Sequence, residues 1–393
     1  MQYKTKTIMR TLNNPFVTNG YFGQKYFCDR EKETTELIQK ITNGNNLALI
    51  STRRMGKTGL IEHCFEQPEL KNSYITFFVD IYATSNLKEF VYLLGKIIFD
   101  KLKPQGNKII EQFFLLISSL RPALKLDNTT GEPIFDIGLG EIKEPAITLE
   151  QIFKFLENAD KPCIVAIDEF QQIARYPEKN TEALLRTYIQ HCKNSRFIFA
   201  GSQSHMMEAI FFSAARPFYQ SVHYIPLKAI ELNKYTSFVE NHFREGNKEI
   251  STELIEKIYA LFDGHTWYMQ TIFNTLFAHL NYNERVTSKL TEDAIEHIIN
   301  NFEPIFQVTL NLISERQKEL LFAIAKMGKT KAITSSQFVQ KNGLVSAASV
   351  QTSAKQLIDK QIITQENKTY TVYDRFFGLW LAREYGGGYK LDL

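Results

Sequence analysis

The stretch Asn46 to Leu60, NLALISTRRMGKTGL, constrains this 393-residue chain more than any other. Its apolar run Leu47-Ala48-Leu49-Ile50 has the length and character of a buried strand in a parallel sheet. A polar turn follows, and Lys57-Thr58-Gly59 then opens an expected helix through Phe65. Strand, loop, GK[ST] and helix in that order make a phosphate-binding P-loop. Successive backbone N–H groups curl around an anion while the helix N-terminus adds partial positive charge. The candidate nucleotide-binding set is therefore Ser51, Thr52, Arg53, Arg54, Met55, Gly56, Lys57, Thr58 and Gly59. Lys57 would reach the β- and γ-phosphates and the Thr58 hydroxyl would ligate Mg²⁺. Ser51 stands where the pattern has glycine, at the start of the turn, where a small residue serves. The letters GKT recur at Gly328-Lys329-Thr330, but after a helical pattern and not a strand. That copy is expected to end a helix and carry solvated lysines.

The second element is Cys163-Ile164-Val165-Ala166-Ile167, another buried strand, with Asp168-Glu169 at its tip. An apolar strand ending in Asp-Glu downstream of a P-loop is the Walker B arrangement. Asp168 would hold Mg²⁺, a hard cation that keeps several waters, and Glu169 would orient or deprotonate the attacking water. A third strand, Arg196 to Ala200, runs into Gly201-Ser202-Gln203. Ser202 or Gln203 would contact the γ-phosphate or the water, Gln203 being favoured. Arg216 is the candidate arginine finger, acting within the chain or on a neighbouring copy. Asp80 ends a further strand, Tyr74 to Ile81, and would either face the nucleotide or cap the helix from Leu87. Asp29 is expected to cap a helix from Arg30 to Ile41, and Thr148 with Gln151 a helix from 148 to 158.

Helical patterns fill Glu231 to Phe302, interrupted at Asp263-Gly264-His265. Three further short helices, at 315–326, 335–341 and 346–360, precede two strands around Gln365-Glu366-Asn367-Lys368, the order of a winged helix. Ser349, Gln351, Thr352 and Lys355 would face a nucleic-acid groove, although winged helices also serve as protein contacts. The fold class is an α/β P-loop NTPase core, a parallel sheet flanked by helices, then an all-α lid and a winged helix. Expected bounds are 1–228 for the core, with an insertion at about 105–147, 229–305 for the lid and 306–393 for the winged helix.

Composition narrows the function. Charged residues at 23% and a net charge of +3 do not mark a nucleic-acid binder as a whole. From Leu310 onward, however, 12 Lys/Arg stand against 7 Asp/Glu, so that segment is +5 and the first 309 residues are −2. No apolar run reaches the roughly 18 residues needed to span a membrane, so no membrane partner is expected. The N-terminus lacks a signal core, and four scattered cysteines suggest neither zinc nor disulfides. A cytoplasmic setting follows.

Phe27-Cys28-Asp29-Arg30-Glu31, Arg53 to Thr58, Ile167-Asp168-Glu169-Phe170-Gln171, Gly264-His265 with Tyr268 and Gln270, and Tyr373-Asp374-Arg375-Phe376-Phe377 with Leu379-Trp380-Leu381 occur together. The combination resembles the archaeal-type P-loop ATPases of the STAND/AAA+ group, which also has members in Bacteroidetes. The resemblance implies ATP or ADP with Mg²⁺, and a core, lid and winged helix. It places Phe27 to Glu31, including Asp29 and Arg30, near the adenine, and His265 in a sensor-like position. Thr266 stands where that signature usually has proline after Gly-His. The functions left open are an ATP-hydrolysing switch, a nucleotide-loaded regulator or scaffold, and a DNA-binding regulator tuned by ATP. A homo-oligomer or another protein partner stays open with Arg216.

Overall fold

The computed structural model describes residues 12–103 and 142–387 continuously, with 110, 113, 115–117, 119, 124–126, 133–135, 391 and 393. They form two compact units, Asn19–Ile230 and Glu231–Leu393, the latter joined by the described part of Arg10–Thr18.

The first unit runs α1 (Glu31–Thr42), β1 (Leu47–Ile50), α2 (Lys57–Glu66), α3 (Pro68–Lys71), β2 (Ile75–Asp80), α4 (Leu87–Leu102), β3 (Leu124–Leu126), β4 (Pro133–Phe135), α5 (Pro145–Glu157) and β5 (Cys163–Asp168). A 3-10 segment, Phe170–Arg175, leads to α6 (Thr181–His191), β6 (Ser195–Gly201), α7 (Ser204–Phe212) and β7 (His223–Pro226). Five strands form a parallel sheet in the order β2-β5-β6-β1-β7. Every residue of β1 and β5 is buried, and alternate residues serve opposite faces. Ala48, Ile50, Val165 and Ile167 join a core with α4, α5 and α6. Leu47, Leu49, Ile164 and Ala166 join Leu37, Ile41, Leu60 and Ile61 of α1 and α2. Strands covered on both faces are why these segments read as continuous apolar runs. The register sets Asp80 beside Asp168 and Ile50 beside Gly201, so the carboxyl ends of β2, β5, β6 and β1 share one edge. In an open parallel sheet that edge is where ligands bind.

Several expectations are corrected. Arg30, in the left-handed region at φ 76°, is the N-cap of α1, and no side-chain cap bond forms there. Helix α5 begins at Pro145, so Thr148 lies inside it and its hydroxyl donates to Glu144 O at 3.2 Å. Asn86 caps α4, accepting from Glu89 N at 2.9 Å, so Asp80 does not. The insertion holds the antiparallel pair β3–β4. Most other residues of the insertion up to 141 lie outside the described ones.

The second unit contains α8 (Leu232–Glu245), α9 (Thr252–Leu261), α10 (Thr266–His279) and α11 (Ser288–Asn311). The segment 12–18 is built into it. Phe16 is fully buried among Phe238, Phe243, Phe273 and Phe277; the Asn14 amide donates to Asn274 O and the Asn274 amide to Phe16 O. Helix α11 continues past Pro304, because Phe306 and Leu310 of its last turns are buried, and so runs beyond the helical pattern that sequence ends at Phe302. The winged helix follows: α12 (Glu315–Met327), β8 (Thr330–Lys331), α13 (Ser336–Lys341), α14 (Ala347–Asp359), β9 (Ile363–Glu366) and β10 (Thr369–Val372), with β10 pairing both β8 and β9. Gly328 ends α12 at φ 70°, as its sequence implied, but Lys329 is ion-paired with Asp263. Helix α15 (Arg375–Tyr385) closes the chain onto the helical part. Arg375 N donates to Tyr268 Oη at 3.0 Å, its guanidinium pairs with Asp263 at 2.9 Å, and the Phe376 ring meets Tyr268 edge-on at 5.1 Å. Among the described residues no helix is long and apolar enough to cross a membrane.

Candidate functional site

The loop between β1 and α2 carries Lys57 at the sheet's ligand edge. Gly56 takes φ 88°, a conformation L side chains resist, which lets the chain turn into α2. Lys57 is 6% exposed, and its Nζ donates to Ser51 O at 3.1 Å, Thr52 O at 3.2 Å and Ser51 Oγ at 3.3 Å. The serine in the glycine position therefore supplies a hydroxyl acceptor to the lysine. Thr58 Oγ1 donates to Asp168 Oδ2 at 2.8 Å, across 110 residues of sequence. Burial pushes the Lys57 ammonium below its ordinary range, partly opposed by Asp168 and Glu169. Burial raises Asp168, offset by the Thr58 hydrogen bond and by Lys57.

Glu169 lies at φ 55°, a strained backbone for a non-glycine residue, which sets its side chain directly after the strand. Its Oε2 accepts from Ser202 Oγ at 2.8 Å and from Gln171 Nε2. Ser202, not Gln203, is thus the β6-tip residue that touches Glu169. Gln203 Oε1 instead accepts from Arg175 at 3.1 Å. Gln171 is 1% exposed and its Oε1 has no partner. A Cβ on Gly201 would lie 2.5 Å from that oxygen and would also meet Met207, so glycine there makes room for the amide. Gln171 and Arg175 were not singled out by sequence for these roles. The signal was faint: a glutamine two residues after the Asp-Glu pair, and an arginine at the end of the same turn.

The flank before α1 supports the loop. Arg30, 3% exposed, donates to Glu33 Oε1 at 2.6 Å and to Met55 O at 3.2 Å, tying the loop to α1. Phe27 stacks on His63 at 4.4 Å and covers Gly59 at the first turn of α2. Burial holds His63 below its usual range, and its Nδ1 shares a hydrogen bond with the Tyr21 hydroxyl at 2.8 Å. The Tyr21 phenol, pushed up to about 12 by burial, stays a donor. Arg53 lies 5.2 Å from the Tyr82 ring centroid. Asp80 is exposed and accepts from Tyr82 N at 2.9 Å. Arg216 is ion-paired with Glu182 at the start of α6. His265 belongs to the second unit, where it N-caps α10 and hydrogen-bonds Phe262 O through Nδ1 at 3.0 Å. Burial and the Arg375 charge lower its pKa.

A loop of backbone donors, a buried lysine, a threonine hydroxyl and two carboxylates at one sheet edge suit a polyphosphate held with a divalent cation. Thr58 Oγ1 and Asp168 Oδ2, hard oxygens within 2.8 Å of each other, fit Mg²⁺. Comparison with known families decides the class. The model "ATPase domain predominantly from Archaea" matches residues 27–272.

The chain belongs to this ATPase-domain family.

The match starts at Phe27 and ends beyond His265. A second model, "Probable winged helix domain", matches 304–383. Solved structures share the fold. The Walker-type ATPase of Pyrococcus abyssi is 19% identical, with 93% of this chain and 99% of that chain covered and a TM-score of 0.63. The Aeropyrum pernix ORC2 protein in its ADPNP–ADP complexes is 13% identical, covers 94% and 95%, and has a TM-score of 0.57. The Aeropyrum pernix ORC1 protein in complex with DNA is 12% identical, covers 95% and 97%, and has a TM-score of 0.51. No curated protein matches.

Proposed function

We propose that this protein is a Mg²⁺-dependent ATPase of the AAA+/STAND type, whose nucleotide state sets the behaviour of its winged helix. The observation that carries the reading is the gathering of Lys57, Thr58, Asp168 and Glu169 at one edge of the sheet, in a chain of the ATPase-domain family. In it, residues 51–59 are the Walker A loop and Asp168-Glu169 the Walker B pair. Thr58 and Asp168 would hold Mg²⁺, which neutralises charge across the β- and γ-phosphates when bound. Lys57 gives up its loop carbonyls for phosphate oxygens. Glu169 accepts a proton from water as the oxygen bonds to the γ-phosphorus and the bond to the β–γ bridging oxygen breaks, giving ADP and phosphate. Phe27, Asp29 and Arg30 form the adenine side of the site, Phe27 as a stacking wall and Arg30 as the brace of the loop. Gln203, through Arg175, and Arg216 are candidate contacts to the γ-phosphate, Arg216 only after leaving Glu182. His265 is the candidate sensor in the second unit.

A second reading, a nucleotide-loaded regulator that turns over slowly, is favoured by the hold on Glu169. One carboxylate oxygen already receives donors from Ser202 and Gln171, which leaves only its other oxygen to take a proton. The DNA-bound ORC1 structure and the winged helix make duplex DNA the first partner to test. Four buried thiols suit a reducing cytoplasm.

ATP turnover by wild type, Lys57→Ala and Glu169→Gln, with and without duplex DNA, tests both readings. Hydrolysis predicts turnover reduced about 10²–10⁴-fold in Glu169→Gln with ATP still bound. If Glu169→Gln turned over like wild type, the base assignment would fail. Bound nucleotide without turnover in wild type would select the slow regulator.

A further inference from the structure

Away from the ligand edge of the sheet, a cavity of about 320 Å³ opens where α6 ends and β6 begins. Arg186, Lys193 and Arg196 line it over a floor that includes Ile189, Phe199 and Phe218. Asn46, also in its lining, precedes β1, whereas Ser51 follows it. The cavity is therefore set apart from the P-loop by β1, roughly 13 Å at strand rise. The state of the two guanidiniums is what matters. Arg196 Nη1 donates to Lys193 O at 2.8 Å and Ser195 O at 2.7 Å, which uses both of its hydrogens. Its Nε is buried without a partner, and the guanidinium lies against the bare face of Gly44, where a Cβ would sit 3.3 Å from Nη2. Arg186 Nη1 donates to Gln190 Oε1 at 2.8 Å, and its Nε is likewise buried without a partner. Among the described residues, no carboxylate pairs with Arg186, Lys193 or Arg196, and none lines the cavity.

Cations gathered without a carboxylate repel one another, and the N–H groups of arginine suit phosphate oxygens. Two guanidiniums and an ammonium line one cavity with no carboxylate among its lining residues, which suits an anion with several oxygens. We propose that this cavity is a second anion site, one that takes a phosphate group, separate from the P-loop. The apolar floor leaves room for the organic part of a small phosphorylated molecule. A nucleic-acid backbone phosphate has the same chemistry, and the test separates the two sources.

The test is calorimetric titration of inorganic tripolyphosphate, and in parallel of a short DNA duplex. Lys57→Ala, in which the P-loop no longer competes, would be compared with Lys57→Ala carrying Arg186→Gln/Arg196→Gln or the charge-keeping Arg196→Lys, with wild type alongside. Tripolyphosphate binding should persist in Lys57→Ala and weaken by roughly tenfold or more once the arginine pair is also replaced. Arg196→Lys should also weaken it, since lysine cannot present a bidentate edge. It also remains informative if the arginine-pair variant fails to fold, which circular-dichroism melting reports. Weakening confined to the duplex would assign the phosphate to a nucleic-acid backbone. Equal binding by Lys57→Ala with and without the arginine substitutions, for both probes, would overturn the proposal. So would loss of all tripolyphosphate binding in a folded Lys57→Ala.

Discussion

Asp168 stands almost fully buried, with Thr58 donating to it and the Lys57 ammonium near, yet burial still raises its pKa. The raised value means that the folded state holds the proton more tightly than the unfolded chain. Stability therefore falls as pH rises from the ordinary aspartate range through the raised folded-state value. Lys57 carries the opposite dependence, a penalty present while it is charged and relieved only as pH rises. The Lys57 charge suits phosphate oxygens and the Asp168 charge a divalent cation, each better than it suits the ligand-free fold. Asp168→Asn keeps an acceptor for Thr58 and removes the buried charge. It should abolish turnover while raising the Tm of the nucleotide-free protein at pH 7 by roughly 2–4 °C, an advantage that shrinks towards pH 4. A variant melting at or below wild type at pH 7 would show that Asp168 is not the strained group.

At the scale of elements, the outlier is the segment 12–18, which has no regular structure and yet fills the core of the helical part of the second unit. Phe16 meets four phenylalanines and the ring of His242. Phe16→Ala should destabilise the second unit by about 3–5 kcal/mol. Hydrogen exchange should then speed up in α8 and α10 and be unchanged in β1 and β5. Uniform exchange across the chain would mean that the two units unfold together. Sequence patterning could not place Phe16, because its partners lie more than 220 residues away. The same reason explains what else was and was not legible. Strands β1, β5 and β6 announce themselves, being apolar on both faces, and they carry Lys57, Thr58, Asp168 and Glu169 within short motifs. Strand β7 does not, since only Ile225 of its four residues is buried at the sheet edge. The hold of Ser202 and Gln171 on Glu169, and of Arg30 on Met55 O, exists only once β5, β6 and α1 have packed. Helix α11 runs through Pro304 because burial of Phe306 against Phe377 and Trp380 outweighs the local break.

Over the whole molecule, the chain passes between its two units at 18–19 and again at 230–231, and the positive charge of its tail lies in the second. On the winged helix the exposed face of α14 carries Gln351, Thr352 and Lys355, with Lys368 at the β9–β10 turn and Lys341 ending α13. The Thr352 hydroxyl is returned to Ala348 O at 3.0 Å, and Gln356 is held by Gln317 at 2.6 Å. That leaves Gln351 as the side chain best placed to read a base edge, and the lysines to meet phosphates. If this surface binds duplex DNA, affinity should fall steeply with salt, by a log–log slope of about 0.9 per phosphate contacted. Lys355→Gln/Lys368→Gln should weaken binding on every sequence and flatten that slope by about two units, whereas Gln351→Ala should mainly reduce discrimination between sequences. Fluorescence anisotropy across a salt series reads all three. The same series on Glu169→Gln with ATP and on wild type with ADP then asks whether nucleotide reaches this surface. A shift in affinity between those two states at unchanged slope would mean that the set of phosphate contacts is kept and only its presentation differs. Identical curves would separate the winged helix from the ATPase cycle.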